Sequence, residues 1–252
     1  MNLSGNTILI TGGGSGIGRG LAEEFHKLGN QVVIAGRRKE ALEETIAANP
    51  GMKSLQLDVE SAKGIEAFAA KVVADFPALN VLINNAGIMR AEYLTKPGYL
   101  ADAEATITTN LLGPIRLTAA LLPHLEKQAQ ATIVTVSSGL AFVPLTMTPT
   151  YCATKAAIHS YTQSLRYQLR ETKVEVLELI PPYVQTDLAG GAKDPRAMPL
   201  GQYIAEVMAI WKSEPTPVEI GVENVKRLRF SAESGNYGAI FKGLNEAMAD
   251  RF

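Results

Sequence analysis

Along the first two thirds of the chain, short runs of consecutive apolar residues alternate with longer stretches whose apolar positions recur at helical spacing. The runs are Thr7 to Ile10, Gln31 to Ala35, Ser54 to Leu57, Val81 to Ile83, Thr132 to Val136 and Val174 to Leu179. Most place Val, Ile and Leu on successive positions, which suits strands covered on both faces of a parallel sheet. Between them Gly16 to Leu28, Lys39 to Ala48, Ala62 to Phe76, Leu100 to Lys127 and Tyr151 to Arg170 read as helices, with Gly29 and Pro50-Gly51 stopping the first two. Alternation of this length predicts an α/β fold, a doubly wound parallel sheet of six or seven strands with helices on both faces. No linker or repeat interrupts it, so residues 1–252 read as a single domain. After Pro181 the rhythm changes. Residues 188–199 are loop-like, with Gly190, Gly191, Pro195 and Pro199, and helix-like stretches follow at 200–212 and 216–231. Ligands of open α/β sheets sit beyond the carboxyl ends of the strands, so the 188–231 segment is placed to cover a substrate.

The first strand runs straight into Thr11-Gly12-Gly13-Gly14-Ser15-Gly16-Ile17-Gly18. Such a turn lets backbone approach a diphosphate, and the helix behind it offers free N–H groups and a positive dipole end. The plainer alternative is a flexible loop; the position between a strand and an amphipathic helix favours nucleotide binding. The spacing is T-G-x-x-x-G-x-G rather than G-x-G-x-x-G, and no Lys-Ser or Lys-Thr pair closes the loop as a Walker turn would require. At the end of the second strand, where a carboxylate would accept from a ribose 2′-hydroxyl, stands Gly36-Arg37-Arg38. Two guanidiniums there favour NADP(H) over NAD(H), with Arg37 on the 2′-phosphate and Arg38 stacking on adenine or sharing the charge. The alternative is a solvated basic turn in which Arg38 pairs with Glu40 or Glu43.

Tyr151 and Lys155, four residues apart, share a helical face. A phenol titrates near 10, and a neighbouring ammonium stabilises the phenolate, making a proton partner for a hydroxyl or carbonyl while hydride moves. The Y-x-x-x-K spacing alone is common. Ser138, at the end of the fifth apolar run, is placed to hydrogen-bond the reacting oxygen, with Ser137 as its competitor.

Taken together, Thr11 to Gly18, Asn84-Asn85-Ala86-Gly87, Asn110, Ser138, Tyr151 and Lys155 resemble the short-chain dehydrogenase/reductase family over residues 5 to about 187. The resemblance implies a Rossmann-type fold and interconversion of a carbonyl and a secondary alcohol by hydride transfer. Tyr151 would be the general acid/base, assisted by Lys155, Ser138 and Asn110. The cofactor would contact Gly12, Ser15, Gly16, Ile17, Gly18, Arg37 and Arg38, and Asp58 and Val59 would lie by the adenine. Asn85, Ala86 and Gly87 would wall the adenine ribose; Tyr151, Lys155, Pro181, Val184 and Thr186 would complete the nicotinamide side. Asn110 would bend its helix and fix a relay water. A narrower resemblance, carried by Ser137 to Phe142, Tyr151 to Lys155 and Pro181 to Val184, is to oxidoreductases encoded beside the D-alanylation operon of lipoteichoic acid. Two departures stand out. Pro181-Pro182 replaces the family's usual Pro-Gly, removing an N–H from the pocket wall. The tail from Gly238 lacks the family's valine-rich strand, leaving a final strand or a short helix at Leu244 to Asp250 as alternatives. Because that strand supports a tetramer contact in the family, the resemblance implies a homodimer through the two long helices.

Leu140, Phe142, Tyr183 and Leu188, with Met198, would edge the substrate pocket and favour a largely apolar ketone. Trp211 reads as core. Composition narrows the picture further. The 252 residues carry a formal net charge of -1, with 46% hydrophobic and 19% charged residues, giving no field that would steer nucleic acid. No apolar run is long enough to span a membrane, and the start has no signal-peptide pattern, so a cytoplasmic location is expected. One cysteine, Cys152, excludes an intrachain disulfide. His26, His124 and His159 fall in separate helical segments with no ligand spacing, so no metal is expected. A cofactor-sensing protein without activity, or an epimerase or dehydratase acting on nucleotide sugars, are the competing functions.

Overall fold

Strands that are apolar on both sides need cover on both sides. The computed structural model, which describes residues 1–188, 190 and 194–249, supplies it with one parallel sheet between two helical layers. The strands are β1 (Thr7–Thr11), β2 (Gln31–Gly36), β3 (Lys53–Gln56), β4 (Leu79–Asn84), β5 (Ala131–Val136), β6 (Val174–Leu179) and β7 (Glu219–Ile220), in the order β3-β2-β1-β4-β5-β6-β7. The helices are α1 (Gly16–Lys27), α2 (Lys39–Ala48), α3 (Ala62–Asp75), α4 (Leu100–Ile107), α5 (Gly113–Leu125), α6 (Pro149–Gln168), α7 (Leu200–Trp211), α8 (Glu223–Arg229) and α9 (Tyr237–Ala247). The chain winds outward in one direction through β2 and β3, then returns to the other side of β1 with β4. That reversal opens a crevice beyond the carboxyl ends of β1 and β4.

Successive strand residues face opposite layers. Ile8, Ile10, Val32 and Ile34 pack with Leu21 and Phe25 of α1 and with Tyr203, Val207 and Trp211 of α7. Leu9, Val33, Leu82 and Ile133 pack with Ile65, Phe68 and Val72 of α3 and with Leu117 and Leu121 of α5. Trp211 is core, as expected: it is 1% exposed and meets the Phe25 ring edge-on at 5.1 Å.

The structure departs from the sequence expectation in three places. The stretch 216–231, read as helical, holds β7 before α8. The open edge of β6 captures it, with Glu178 N–H donating to Val218 O and Ile180 N–H to Ile220 O, both at 2.9 Å. The stretch Leu100 to Lys127, read as one helix, is split by a wide π-type turn over Thr108–Leu112. Pro114 explains the break: it lacks an N–H, and in a regular helix its ring would press on the Asn110 carbonyl. The tail forms α9, which starts earlier than the expected helix and leaves no strand among the described residues. Gly191 of the expected loop and Asp250 of the expected tail helix lie outside the described residues. Among the described residues no helix is long and apolar enough to cross a membrane.

Phe25→Ala, which removes the ring that joins α1 to α7, is expected to cost about 3–5 kcal/mol of stability, measured by urea unfolding. A loss below about 1 kcal/mol would mean that the two helices do not share a packed layer.

Candidate active site

The crevice begins where β1 ends. Gly12 has φ +69°, a region L side chains rarely adopt, and its N–H donates to Ala35 O at 2.7 Å, turning the chain over the tip of β2. Gly18 is required by close approach: a Cβ there would stand 2.4 Å from Gly12 O and 2.5 Å from Asn85 Nδ2. Thr11 Oγ1 accepts from Asn85 N–H and Ala86 N–H, both at 3.0 Å, and Asn85 Nδ2 donates to Thr11 O at 2.9 Å. These bonds clasp the ends of β1 and β4 together at the point where strand order reverses.

A groove of about 370 Å³ follows, lined by Gly12, Ser15, Gly16, Ile17, Arg37, Arg38, Val59, Asn85, Ala86, Gly87 and Thr186 among others. The N-terminus of α1 opens at this groove with no side-chain cap. Uncapped N–H groups and the dipole's positive end suit an anionic diphosphate. Arg38 Nη2 donates to Ser15 Oγ at 2.7 Å across the mouth, and pairs with neither Glu40 nor Glu43. Arg37 Nη1 donates to Glu60 Oε1 at 2.9 Å, and the same oxygen accepts from Thr109 Oγ1 at 2.9 Å. Glu60 and Thr109 were not foreseen, because their pairing joins segments distant in sequence. Gly18 supports the turn from behind. Asp58 is exposed outside the groove lining, with Oδ1 accepting from Glu60 N–H at 3.1 Å.

At its inner end the groove meets Tyr151 and Lys155. Pro149 starts α6 with its φ already suited to a helix. The helix turns Tyr151, Lys155 and, one turn further on, His159 toward β5 and β6. Lys155 Nζ donates to Val136 O at 2.7 Å and lies 5.6 Å from the Tyr151 ring centroid. Ser138, just past β5, lines the cavity beside Tyr151 and favours the ionised form of its hydroxyl. Burial drives the Tyr151 phenol well above its ordinary value, and the Ser138 hydroxyl opposes that rise. Burial likewise lowers Lys155 to about 8, with the buried Glu178 carboxylate pulling the other way. Asn110, 1% exposed in the wide turn, clamps the neighbouring loop: Oδ1 accepts from Ile88 N–H at 2.9 Å and Nδ2 donates to Ile88 O at 2.8 Å. Nδ2 also reaches Thr154 Oγ1 at 3.3 Å. Gly87 fits because a Cβ would sit 3.3 Å from Asn110 Oδ1 and 3.8 Å from Lys155 Nζ.

A second cavity, of about 170 Å³, opens beside Tyr151 and shares Ile17, Asn85, Gly87, Thr186 and Leu188 with the groove. Pro181, Val184, Leu140 and Tyr183 line it. Two expectations fail. Phe142 lies outside the lining, because its ring packs edge-on against His159 at 4.7 Å and beneath the Arg229 guanidinium at 4.6 Å. Met198 is 4% exposed in the core, its backbone exchanging bonds with Tyr183 O and Gln185 N–H at 2.9 Å each. In their place stand Met89, Leu145, Leu228, Leu244 and Met248. Leu244 and Met248 are four apart, a spacing that marked one face of the tail helix in the sequence without saying what it would face. Behind Phe142, ligand-type atoms of His159, Glu178 and Glu219 come within 4.8 Å of one another. Each is already paired: His159 Nδ1 with the Glu178 carboxylate at 2.9 Å, and Arg229 with Glu219 at 2.7 Å.

Comparison with known proteins agrees with this geometry. Residues 6–197 match the family model described as short chain dehydrogenase. The chain is 40% identical over 97% of its length, and 98% of the relative's, to the uncharacterized oxidoreductase DltE of Bacillus subtilis (strain 168). It is 34% identical over 74% of both chains to the NADP-dependent 3-hydroxy acid dehydrogenase of Schizosaccharomyces pombe (strain 972 / ATCC 24843). The closed form of a serine dehydrogenase complexed with NADP+ superposes with TM-score 0.75 at 26% identity, covering 85% of this chain and 92% of that one.

The buried ammonium has a consequence for stability. The folded chain holds the Lys155 proton more weakly than the unfolded chain, so below pH 8 this group opposes folding by roughly 3 kcal/mol. The opposition fades as pH rises from about 8 to 10.5. Lys155→Met is therefore expected to gain about 1–3 kcal/mol at pH 7, with the gain vanishing by about pH 11. Urea unfolding at both pH values decides it; a variant less stable than the parent at pH 7 would show the ammonium to be fully compensated.

Proposed function

The chain belongs to the short-chain dehydrogenase/reductase family, and on that premise we propose that it is an NADP(H)-dependent oxidoreductase interconverting a ketone and a secondary alcohol. The observation that carries the proposal is the meeting of Tyr151, Ser138 and Lys155 where the glycine-turn groove joins an otherwise apolar cavity. The groove suits a dinucleotide: an uncapped helix end for the diphosphate, and two exposed guanidiniums with no carboxylate at the end of β2. Arg37 and Arg38 would share the 2′-phosphate, Arg38 turning from Ser15 and Arg37 bridging from Glu60. Val59, Asn85, Ala86 and Gly87 would wall the adenosine half, and Pro181, Val184 and Thr186 the nicotinamide half. Asp58 would reach the adenine only from the rim. The names of the fission-yeast relative and the serine dehydrogenase structure, both of which specify NADP, support the same choice.

When bound, the dinucleotide supplies or receives the hydride. This chain's residues handle the proton. In reduction the Tyr151 hydroxyl donates its proton to the carbonyl oxygen, while the Ser138 hydroxyl donates a hydrogen bond to that same oxygen. The phenolate left behind is stabilised by the Lys155 ammonium, which has three donors and commits one to Val136 O. In oxidation the same groups run in reverse. Asn110 has its side chain engaged by Ile88 and Thr154, so a relay water beside Lys155 would rest on its main-chain carbonyl. The 188–231 segment would cover the substrate from the β6 side.

Tyr151→Phe is expected to lower kcat about 10²–10⁴-fold while leaving NADPH affinity in place. Arg37→Ala and Arg38→Ala should each weaken NADPH binding about 10-fold or more and leave NADH binding within about 2-fold. Fluorescence titration and NADPH consumption with a ketone panel measure both. Retained turnover in the phenylalanine variant would remove Tyr151 from the chemistry, and equal losses for both dinucleotides would place the arginines off the 2′-phosphate.

A further inference from the structure

The cavity beside Tyr151 bears on which carbonyl compound could enter it. Beyond the reacting groups its wall is mostly apolar, with Met89, Leu140, Leu145, Leu228, Leu244 and Met248 among its members, and its other polar side chains, Asn85, Ser137, Tyr183 and Thr186, are uncharged. Among the described lining residues the one charged side chain is Lys155, and its ammonium is held against Val136 O at the cavity floor. The Tyr183 hydroxyl donates to Asp194 Oδ2 at 3.0 Å, and behind it the Arg196 guanidinium meets the Asp194 carboxylate at 2.8 Å and Ala247 O at 2.6 Å. That cation is engaged outside the lining. Among the described residues, no guanidinium or ammonium apart from the one needed at Tyr151 is placed to replace the hydration that an anionic substrate would lose here.

The far wall is a fixed one. Asn245 bolts α9 to the loop after β5: Thr146 N–H donates to its Oδ1 at 2.7 Å and its Nδ2 donates to Pro144 O at 3.2 Å. Arg196 adds a second hold on the same C-terminal turn through Ala247 O. Leu244 and Met248 flank Asn245 and face the cavity, and Met248 joins Leu145, Tyr151 and Cys152 in one buried cluster.

We infer that the substrate is an uncharged ketone or secondary alcohol with an extended apolar body, and that α9, through Leu244 and Met248, sets the length of body accepted. The inference rests on the oxidoreductase function proposed above. It is tested with the purified enzyme and NADPH on octan-2-one and 7-oxooctanoate, which differ only in a terminal methyl against a carboxylate, and on butan-2-one. The expected kcat/KM favours octan-2-one over 7-oxooctanoate by about 100-fold or more. Leu244→Ala and Met248→Ala should each lower the ratio of kcat/KM for octan-2-one to that for butan-2-one by about 5-fold or more. Turnover of 7-oxooctanoate equal to or above that of octan-2-one overturns the substrate class. Equal changes for the long and short ketones overturn the role of α9. An enzyme that binds NADPH yet turns over none of the three, and does not oxidise octan-2-ol with NADP+, overturns the oxidoreductase function itself and the substrate class with it.

Discussion

Taking an ammonium out of water costs several kcal/mol unless polar partners replace the lost solvent, and the surroundings of Lys155 are organised around that cost. Its partner is the carbonyl of Val136, the last residue of β5. Strand and helix must therefore meet at one separation and one register. The parallel pairing of Val136 with Leu179 fixes the strand end, and Pro149 fixes the helix start. Ser138 leaves the strand two residues later and reaches Tyr151, one turn before Lys155. Glu178, fully buried on β6 and paired with His159, adds a negative charge beneath the same helix. The charge that would stabilise a phenolate is thus held against the sheet and not on an exposed surface group.

The rest of the site follows from joining two halves of the sheet at that place. Thr11 and Asn85 lock the tips of β1 and β4, so the glycine turn and the Asn85-Ala86-Gly87 strip move as one body. Asn110 then ties the strip to the helical layer through Ile88 and Thr154, the latter also bonded to Tyr151 O at 2.7 Å. The wide turn is the backbone's accommodation of this clamp and of Pro114 together. Polar bonds and the 85–88 strip together link the groove that would take a diphosphate to the backbone of the tyrosine that would exchange a proton.

The strands and most helices were legible because burial on both faces leaves an unmistakable apolar signature, and each of the six expected strands appears within a few residues of its reading. Gly12 was legible because a positive φ admits few other residue types, whereas Ser138, Tyr151 and Lys155 stood out only through their joint occurrence, in order, with the other motifs of the family they resemble. What stayed hidden is governed by contacts between distant segments. Phe142 carries no mark in the sequence that it would turn toward His159 and Arg229 instead of the cavity. Met198 was drawn into the core by backbone bonds to Tyr183 and Gln185, which no side-chain pattern announces. The two-residue β7 is too short to show a period, and it exists because β6 has an open edge beside it. Glu60 became the partner of Arg37 only once β3 and α3 were in place.

Among the described residues the last strand ends at Ile220, and α9 touches the cavity without entering any strand ladder. The residues that would handle the proton and those that would measure the substrate therefore belong to parts of the chain with different structural obligations. Drift in the tail is free of the hydrogen-bond registry that constrains β1 to β6, so long as Asn245 keeps its grip on the 144–146 loop. Such an arrangement would separate the inheritance of reaction from the inheritance of preference: a lineage could retain one and alter the other by changing a helix that carries no strand ladder.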